Sequence, residues 1–300
     1  MKNVMKRIGK FLVTLSPTVI AIGMNFLVSF IAMIICGVVL GMQMGVSGEI
    51  NAITQEDMTN RLLDMVMEYA IPATIVFQLF NFLIFGLWFK LWGHNKFVNP
   101  LKVVKGSNLG VAFLAAVSLE MLIGVAMSVV AVFWPEVIQS FAELMEQSGV
   151  GEMNVLSFLA TVILAPITEE LIFRGVTMRL TKWAGMSFVV GNIVQAVLFG
   201  AFHMNWVQGV YATLIGLVLG YLGHRYKTLW VPMLVHLFCN LYATVIGMFE
   251  IPDTILVNVI MFILGTVFAI GAILIMKKEN SKVAVAESAA SMEQNSVELN

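Results

Sequence analysis

Residues 155–181 read VLSFLATVILAPITEELIFRGVTMRLT. The stretch has the length and character of a membrane helix, which needs about 20 mostly apolar residues. It nevertheless contains Glu169, Glu170 and Arg174. Ionisable groups in hydrocarbon are costly, and where they occur they face a bundle interior or a cavity and carry a task. The apolar run is continuous rather than alternating, and a bilayer admits only helices and closed barrels, so the stretch reads as helix.

The same reading extends along the chain. Of its 300 residues 59% are hydrophobic and 12% charged, whereas a soluble domain carries about 25% charge. The mean hydropathy is +0.91. Eight apolar spans are expected, at about 17–41, 70–92, 108–133, 155–181, 186–203, 208–223, 229–249 and 254–276. The predicted fold class is therefore an all-α, polytopic membrane helical bundle of about eight transmembrane helices. The first span follows Lys2, Lys6, Arg7 and Lys10. It is much longer than a signal-peptide core and reads as a helix that stays in the protein. Cys36 and Cys239 both lie in apolar runs and read as small buried hydrophobes rather than disulfide or zinc partners.

Charge orients the bundle. Every Lys and Arg except Arg61 falls in 1–10, 90–105, 174–182, 225–227 or 277–282. The opposite loops, 42–69 and 134–152, and the turn at 250–253 carry Glu49, Glu56, Asp57, Asp64, Glu68, Glu136, Glu143, Glu146, Glu152, Glu250 and Asp253. The positive-inside rule then places both termini in the cytoplasm. Segment 283–300 is short, polar and free of aromatics, and reads as a disordered tail. There is no phosphate-binding glycine loop and no basic patch interleaved with aromatics, so nucleic acid is not an expected partner.

Three polar clusters remain: Glu169-Glu170 with Arg174, Phe199 with His203, and His236 with Asn240. Pro166, one turn before the glutamates, removes a backbone donor and is expected to kink the helix. Glu170 and Arg174 are four apart and can pair on one face, whereas Glu169 is rotated by about 100°. Glu169 is thereby the free carboxylate, suited to act as a general base. His236 and Asn240 share a face and offer two donors toward one point, which suits a developing oxyanion. His203 ends the fifth span. The link after it, 203–208, is otherwise uncharged and is expected to turn within the membrane beside a cavity. His94 and His224 read as interface residues at helix ends, and Glu120 as an interhelical contact.

EExxxR, FxxxH and HxxxN, in this order on separate helices, resemble the CPBP family of CAAX prenyl endopeptidases and bacteriocin-processing or immunity (Abi) proteins. The resemblance covers about 155–245. It implies an intramembrane endopeptidase in which Glu169 activates water, Glu170 and Arg174 support it, His203 orients the water, and His236 and Asn240 form the oxyanion hole. It also divides the chain into N-terminal helices and loops (1–154), a catalytic core (155–249), a last transmembrane helix (250–282) and the tail (283–300). Phe199 enters as a supporting residue of the second motif. A zinc site of Glu169, His203 and His236 is the alternative mechanism, but without an HExxH pattern the metal-free, cofactor-free glutamic route is preferred. The expected partners are a membrane-associated peptide substrate, of the CAAX or leader type, and the lipid bilayer. The expected location is a bacterial plasma membrane. The competing function is a non-catalytic immunity or scaffold protein of the same fold. A small-solute carrier is disfavoured by the lack of paired broken helices or repeats.

Overall fold

A computed structural model describes residues 2–47, 53–92, 105–147, 154–249 and 251–298. The loop residues Glu49, His94, Lys96, Lys102, Glu152 and Glu250 lie outside the described residues. The helices are α1 (Lys2–Ser47), α2 (Gln55–Glu68), α3 (Ala70–Leu91), α4 (Gly106–Phe133), α5 (Pro135–Gln147), α6 (Val155–Trp183), α7 (Phe188–Phe202), α8 (Trp206–Tyr226), α9 (Trp230–Ile246) and α10 (Ile255–Glu298). No strand occurs among the described residues. The chain is an all-helical integral membrane bundle, as its continuous apolar runs require.

Each of the eight expected spans is a helix. Six of them, α1, α3, α4, α6, α8 and α10, are long and apolar enough to cross a bilayer. The other two, α7 with 15 residues and α9 with 17, are shorter. At 1.5 Å per residue α7 extends only about 22 Å, against a hydrocarbon thickness of about 30 Å.

Two departures from the sequence reading concern the loops and the tail. The acidic loops contain helices of their own. In α2 the Thr54 side chain accepts from the Asp57 N–H at 3.1 Å, the usual way an N-cap satisfies an orphan donor. In α5 Pro135 occupies the first position, where its missing N–H costs nothing. The backbone of 283–298 is helical and continuous with α10, where composition suggested disorder. Its Ala, Glu, Gln and Met favour helix, and extending a helix avoids the cost of nucleating one.

Helix α6 is the centre. Its most apolar window is 56% buried, against 39% or less for the other five long helices. It packs on α1, α3, α7, α8 and α9, while α4 is sandwiched between α9 and α10. Phe26, Phe30, Val132 and Ile263 are among many exposed apolar side chains on the outer helices, where they face hydrocarbon. Helices α7 and α8 approach through small residues. A methyl group on Gly200 would overlap Thr213 Oγ1 and the Gly209 carbonyl, and one on Gly216 would come within 3.1 Å of Ala196 Cα. Close backbone approach through small residues is how membrane helices gain packing without a hydrophobic drive between them.

The basic helix ends gather at one end of the bundle. Lys10 Nζ donates to Trp183 O at 3.3 Å, Arg179 Nη1 to Phe89 O at 3.3 Å, and Arg225 Nη2 to Met276 O at 2.7 Å. These contacts join the start of α1 and the end of α3 to the end of α6, and the end of α8 to α10, within the set that the charge pattern grouped. Both cysteines are buried and free.

Candidate active site

The backbone of α6 departs from α-helix on both sides of the glutamates. Leu159–Leu164 and Leu171–Thr177 are π-helical, and Ala165–Glu170 between them is α-helical. Such wider turns are rare and occur frequently at functional sites. Pro166 supplies a local cause for the first. The Ala165 N–H reaches back to Ala160 O, and Pro166, next in line, has no N–H to offer. Thr161 O is thereby deprived of a helical donor. Asn240 of α9 fills the gap, its Nδ2 donating to Thr161 O at 2.8 Å. In the second wide turn Thr177 Oγ1 donates to Ile172 O at 2.9 Å.

Glu170 is fully buried, and its Oε1 accepts from Arg174 Nη1 at 2.8 Å and from His236 Nδ1 at 3.0 Å. A carboxylate can only accept, so His236 donates through Nδ1 and turns Nε2 away from Glu170. His236 Nε2 faces Glu169 Oε2 at 3.7 Å, beyond hydrogen-bond range. His236 thus stands between the two glutamates, bonded to one and facing the other. Arg174 also donates through Nη2 to Gly216 O at 3.1 Å, and its guanidinium lies 4.6 Å from the Phe199 ring centroid. Gln195 of α7 reaches the same carbonyl, Nε2 to Gly216 O at 2.9 Å. Glu169, Glu170, Arg174 and His236 are all buried, on α6 and α9.

The structure brings Glu169, Glu170, Arg174 and His236 into one cluster and places Phe199 against it. Phe199 is edge-on to both imidazoles, with centroids 5.6 Å from His236 and 5.0 Å from His203. His203 therefore sits one ring away from the carboxylates, and its Nδ1 is 2.9 Å from Phe199 O of its own helix. Asn240 is on the same helix face as His236 but is engaged with the Thr161 carbonyl. Glu169, His203 and His236 do not converge as ligands, and among the described residues no three His, Cys, Asp or Glu side chains are placed to hold a metal ion. Glu120 lines a separate cavity of about 280 Å³ with Tyr242 and Asp253. His224 stacks on Phe188 at 3.9 Å.

Sequence reasoning missed the Glu170–His236 bond, the Asn240–Thr161 tie, and the roles of Gln195 and Gly216. Only Pro166 gave a signal, by announcing a carbonyl in need of a donor. Gln195 is a fully buried amide in an apolar helix, and its partner carbonyl lies on another helix.

Fold and site together define a class: an integral membrane helical bundle with a buried carboxylate–imidazole cluster built from adjacent glutamates on one helix and a histidine on another. Residues 151–242 match the family model described as Type II CAAX prenyl endopeptidase Rce1-like. The family resemblance carried by the three motifs is borne out by this match. Over 90 residues, 30% of this chain and 36% of the relative, the chain is 28% identical to "Putative membrane peptidase YdiL" of Bacillus subtilis (strain 168). Over 123 residues, 34% of this chain and 40% of the relative, it is 29% identical to "CAAX prenyl protease 2" of Arabidopsis thaliana. The chain thus spans well under half the length of the curated relatives it matches. No solved structure matches it.

Proposed function

We propose that the protein is an intramembrane endopeptidase that hydrolyses a peptide bond of a membrane-associated substrate, with Glu169 as the base that activates water. The observation that carries this reading is the position of Glu169. It lies outside the Glu170–Arg174–His236 hydrogen bonds yet faces His236 Nε2 at 3.7 Å. A water about 2.8 Å from both atoms would complete a triangle with them.

In the proposed step Glu169 takes a proton from that water as its oxygen attacks the carbonyl carbon. The resulting tetrahedral intermediate breaks its C–N bond as the proton passes to the departing amine. Glu170 holds His236 in one tautomer, as a buried carboxylate does for a catalytic histidine. Arg174 holds Glu170. In that tautomer His236 Nε2 carries no proton, and it steadies the water by accepting a hydrogen bond from it. In this reading His236 takes the place beside Glu169 that the family resemblance offered to His203, and His203 acts through Phe199. Asn240 keeps a second amide hydrogen after bonding Thr161 O, so a contribution to the oxyanion remains compatible with its structural tie. The substrate classes suggested by the relatives' names are a CAAX-type C-terminal segment or another membrane-bound peptide. The bacterial plasma membrane is the proposed location.

Purified wild type and Glu169→Gln in liposomes, offered a peptide tethered to the bilayer, test the reading. Cleavage by the wild type alone, persisting after exhaustive chelation, is expected. Loss on chelation with rescue by zinc would replace the glutamic mechanism with a metal one. Equal cleavage by both proteins would remove Glu169 from the chemistry.

A further inference from the structure

Beside the glutamate cluster lies a larger cavity, about 750 Å³, between α3, α6, α8 and the start of α9. Its walls are apolar, with Phe82, Leu171, Leu229 and Met233 among them. Neither Glu169 nor His236 lines it. Its charged lining is only basic, Arg174, Arg179 and Lys227, with His224 beside them and no acidic residue. Arg179 and Lys227 belong to the helix ends that the charge pattern places at the cytoplasmic surface.

Two details of these basic groups bear on what the cavity could hold. Lys227 caps α8 in the left-handed conformation, φ 52°, where glycine is the favoured residue. A lysine kept in a strained backbone position points to use. Arg174 is buried, and its Nε has no hydrogen-bond partner among the described residues although Nη1 and Nη2 are engaged. Arg179 lies over the Phe89 ring at 3.8 Å and gives one donor to Phe89 O. A guanidinium has five donors, so others remain for a ligand.

We propose that this cavity binds one anionic phospholipid of the cytoplasmic leaflet, with its phosphate on Arg179 and Lys227 and an acyl chain against Leu171, Leu229 and Met233. A basic pocket between membrane helices on the cytoplasmic side is the setting in which anionic headgroups are recognised. The volume falls in the range of built ligand sites, about 300–1,000 Å³. The inference does not depend on the peptidase reading, because its test reads lipid retention and not cleavage.

The test is native mass spectrometry of the full protein in non-ionic detergent, with phosphatidylglycerol or phosphatidylcholine of the same acyl chains added in turn. One phosphatidylglycerol is expected to remain bound where phosphatidylcholine is stripped. Arg179→Gln/Lys227→Gln is expected to lower retention about tenfold or more. The control Lys6→Gln/Lys278→Gln removes the same charge elsewhere and is expected to leave retention unchanged. Gly223→Leu keeps every charge and directs a side chain into the cavity, where a Cβ meets nothing nearer than Pro232 Cγ at 3.6 Å. It is expected to expel the lipid while the protein melts normally. Equal retention of the two lipids, equal loss in the control, or retention by both Arg179→Gln/Lys227→Gln and Gly223→Leu would overturn the proposal. So would retention of glycerol phosphate alone with the wild-type affinity, because the site would then read a free anion.

Discussion

Glu169 and Glu170 are neighbours in the chain with different surroundings, because successive helical residues diverge by about 100°. Glu170 bonds Arg174 and His236, whereas Glu169 makes no hydrogen bond among the described residues and faces the far nitrogen of that imidazole at 3.7 Å. Removing Arg174 leaves Glu170 fully buried without its cation. Arg174→Ala is therefore expected to lose on the order of 3 kcal/mol of stability as well as activity. Thermal unfolding in detergent checks this, and an Arg174→Ala/Glu170→Gln double variant should regain part of the loss. Undiminished stability of the single variant would contradict the pairing. Glu169→Gln is expected to melt within a degree or two of the wild type, since it breaks no hydrogen bond seen here. The Glu170–Arg174 pair was legible at this scale because four-residue spacing fixes a shared helix face. The bond from Glu170 to His236 was not, because it joins residues 66 apart and depends on how α9 lies against α6.

At the scale of the helix, α6 and the α7–α8 pair shape the site. Pro166 and the wide turn before it expose Thr161 O, and Asn240 ties α9 to that carbonyl. Losing the donor to a buried carbonyl costs about 1–3 kcal/mol. Asn240→Ala should lower the melting temperature even if its second hydrogen has no role in chemistry. An unchanged melting temperature would mean that the tie contributes nothing. Helices α7 and α8 touch where glycine leaves room. A methyl group on Gly220 would overlap Asn192 Oδ1 and lie 2.6 Å from Gln195 Nε2. Gly220→Ala is expected to cost roughly 1–3 kcal/mol through overpacking, and to disturb Gln195, which shares the Gly216 carbonyl with Arg174. A melting curve and a cleavage assay on the same preparation check both effects. The apolar runs announced all eight span helices. They did not announce α2 and α5, whose signals are short capping patterns, nor the wide turns, where Asn240 and Thr177 satisfy backbone carbonyls. Segment 283–298 has a composition of low hydrophobicity that suggests disorder, alongside helix-forming residues that agree with its helical backbone.

Over the whole molecule, the charge pattern and the packing agree on which helix ends lie together, with Lys10 on Trp183 and Arg225 on Met276. Cysteine labelling at Lys6→Cys from the cytoplasmic side and at Asp64→Cys from the outside is the expected outcome. Reversed accessibility would overturn the orientation. The membrane class and the family resemblance were readable from the chain, because composition and three local motifs need no tertiary information. The order of groups around Glu169 was not, since it is set by α6 meeting α7, α8 and α9. The central claim is that this cluster cleaves peptide bonds in or beside the membrane. The most direct measurement compares peptide termini in membranes of cells making the wild type and Glu169→Gln at equal levels. Termini present only with the wild type are predicted, and would identify the substrates. Identical termini, in cells where both proteins support the same phenotype, would contradict the claim and favour a non-catalytic membrane partner.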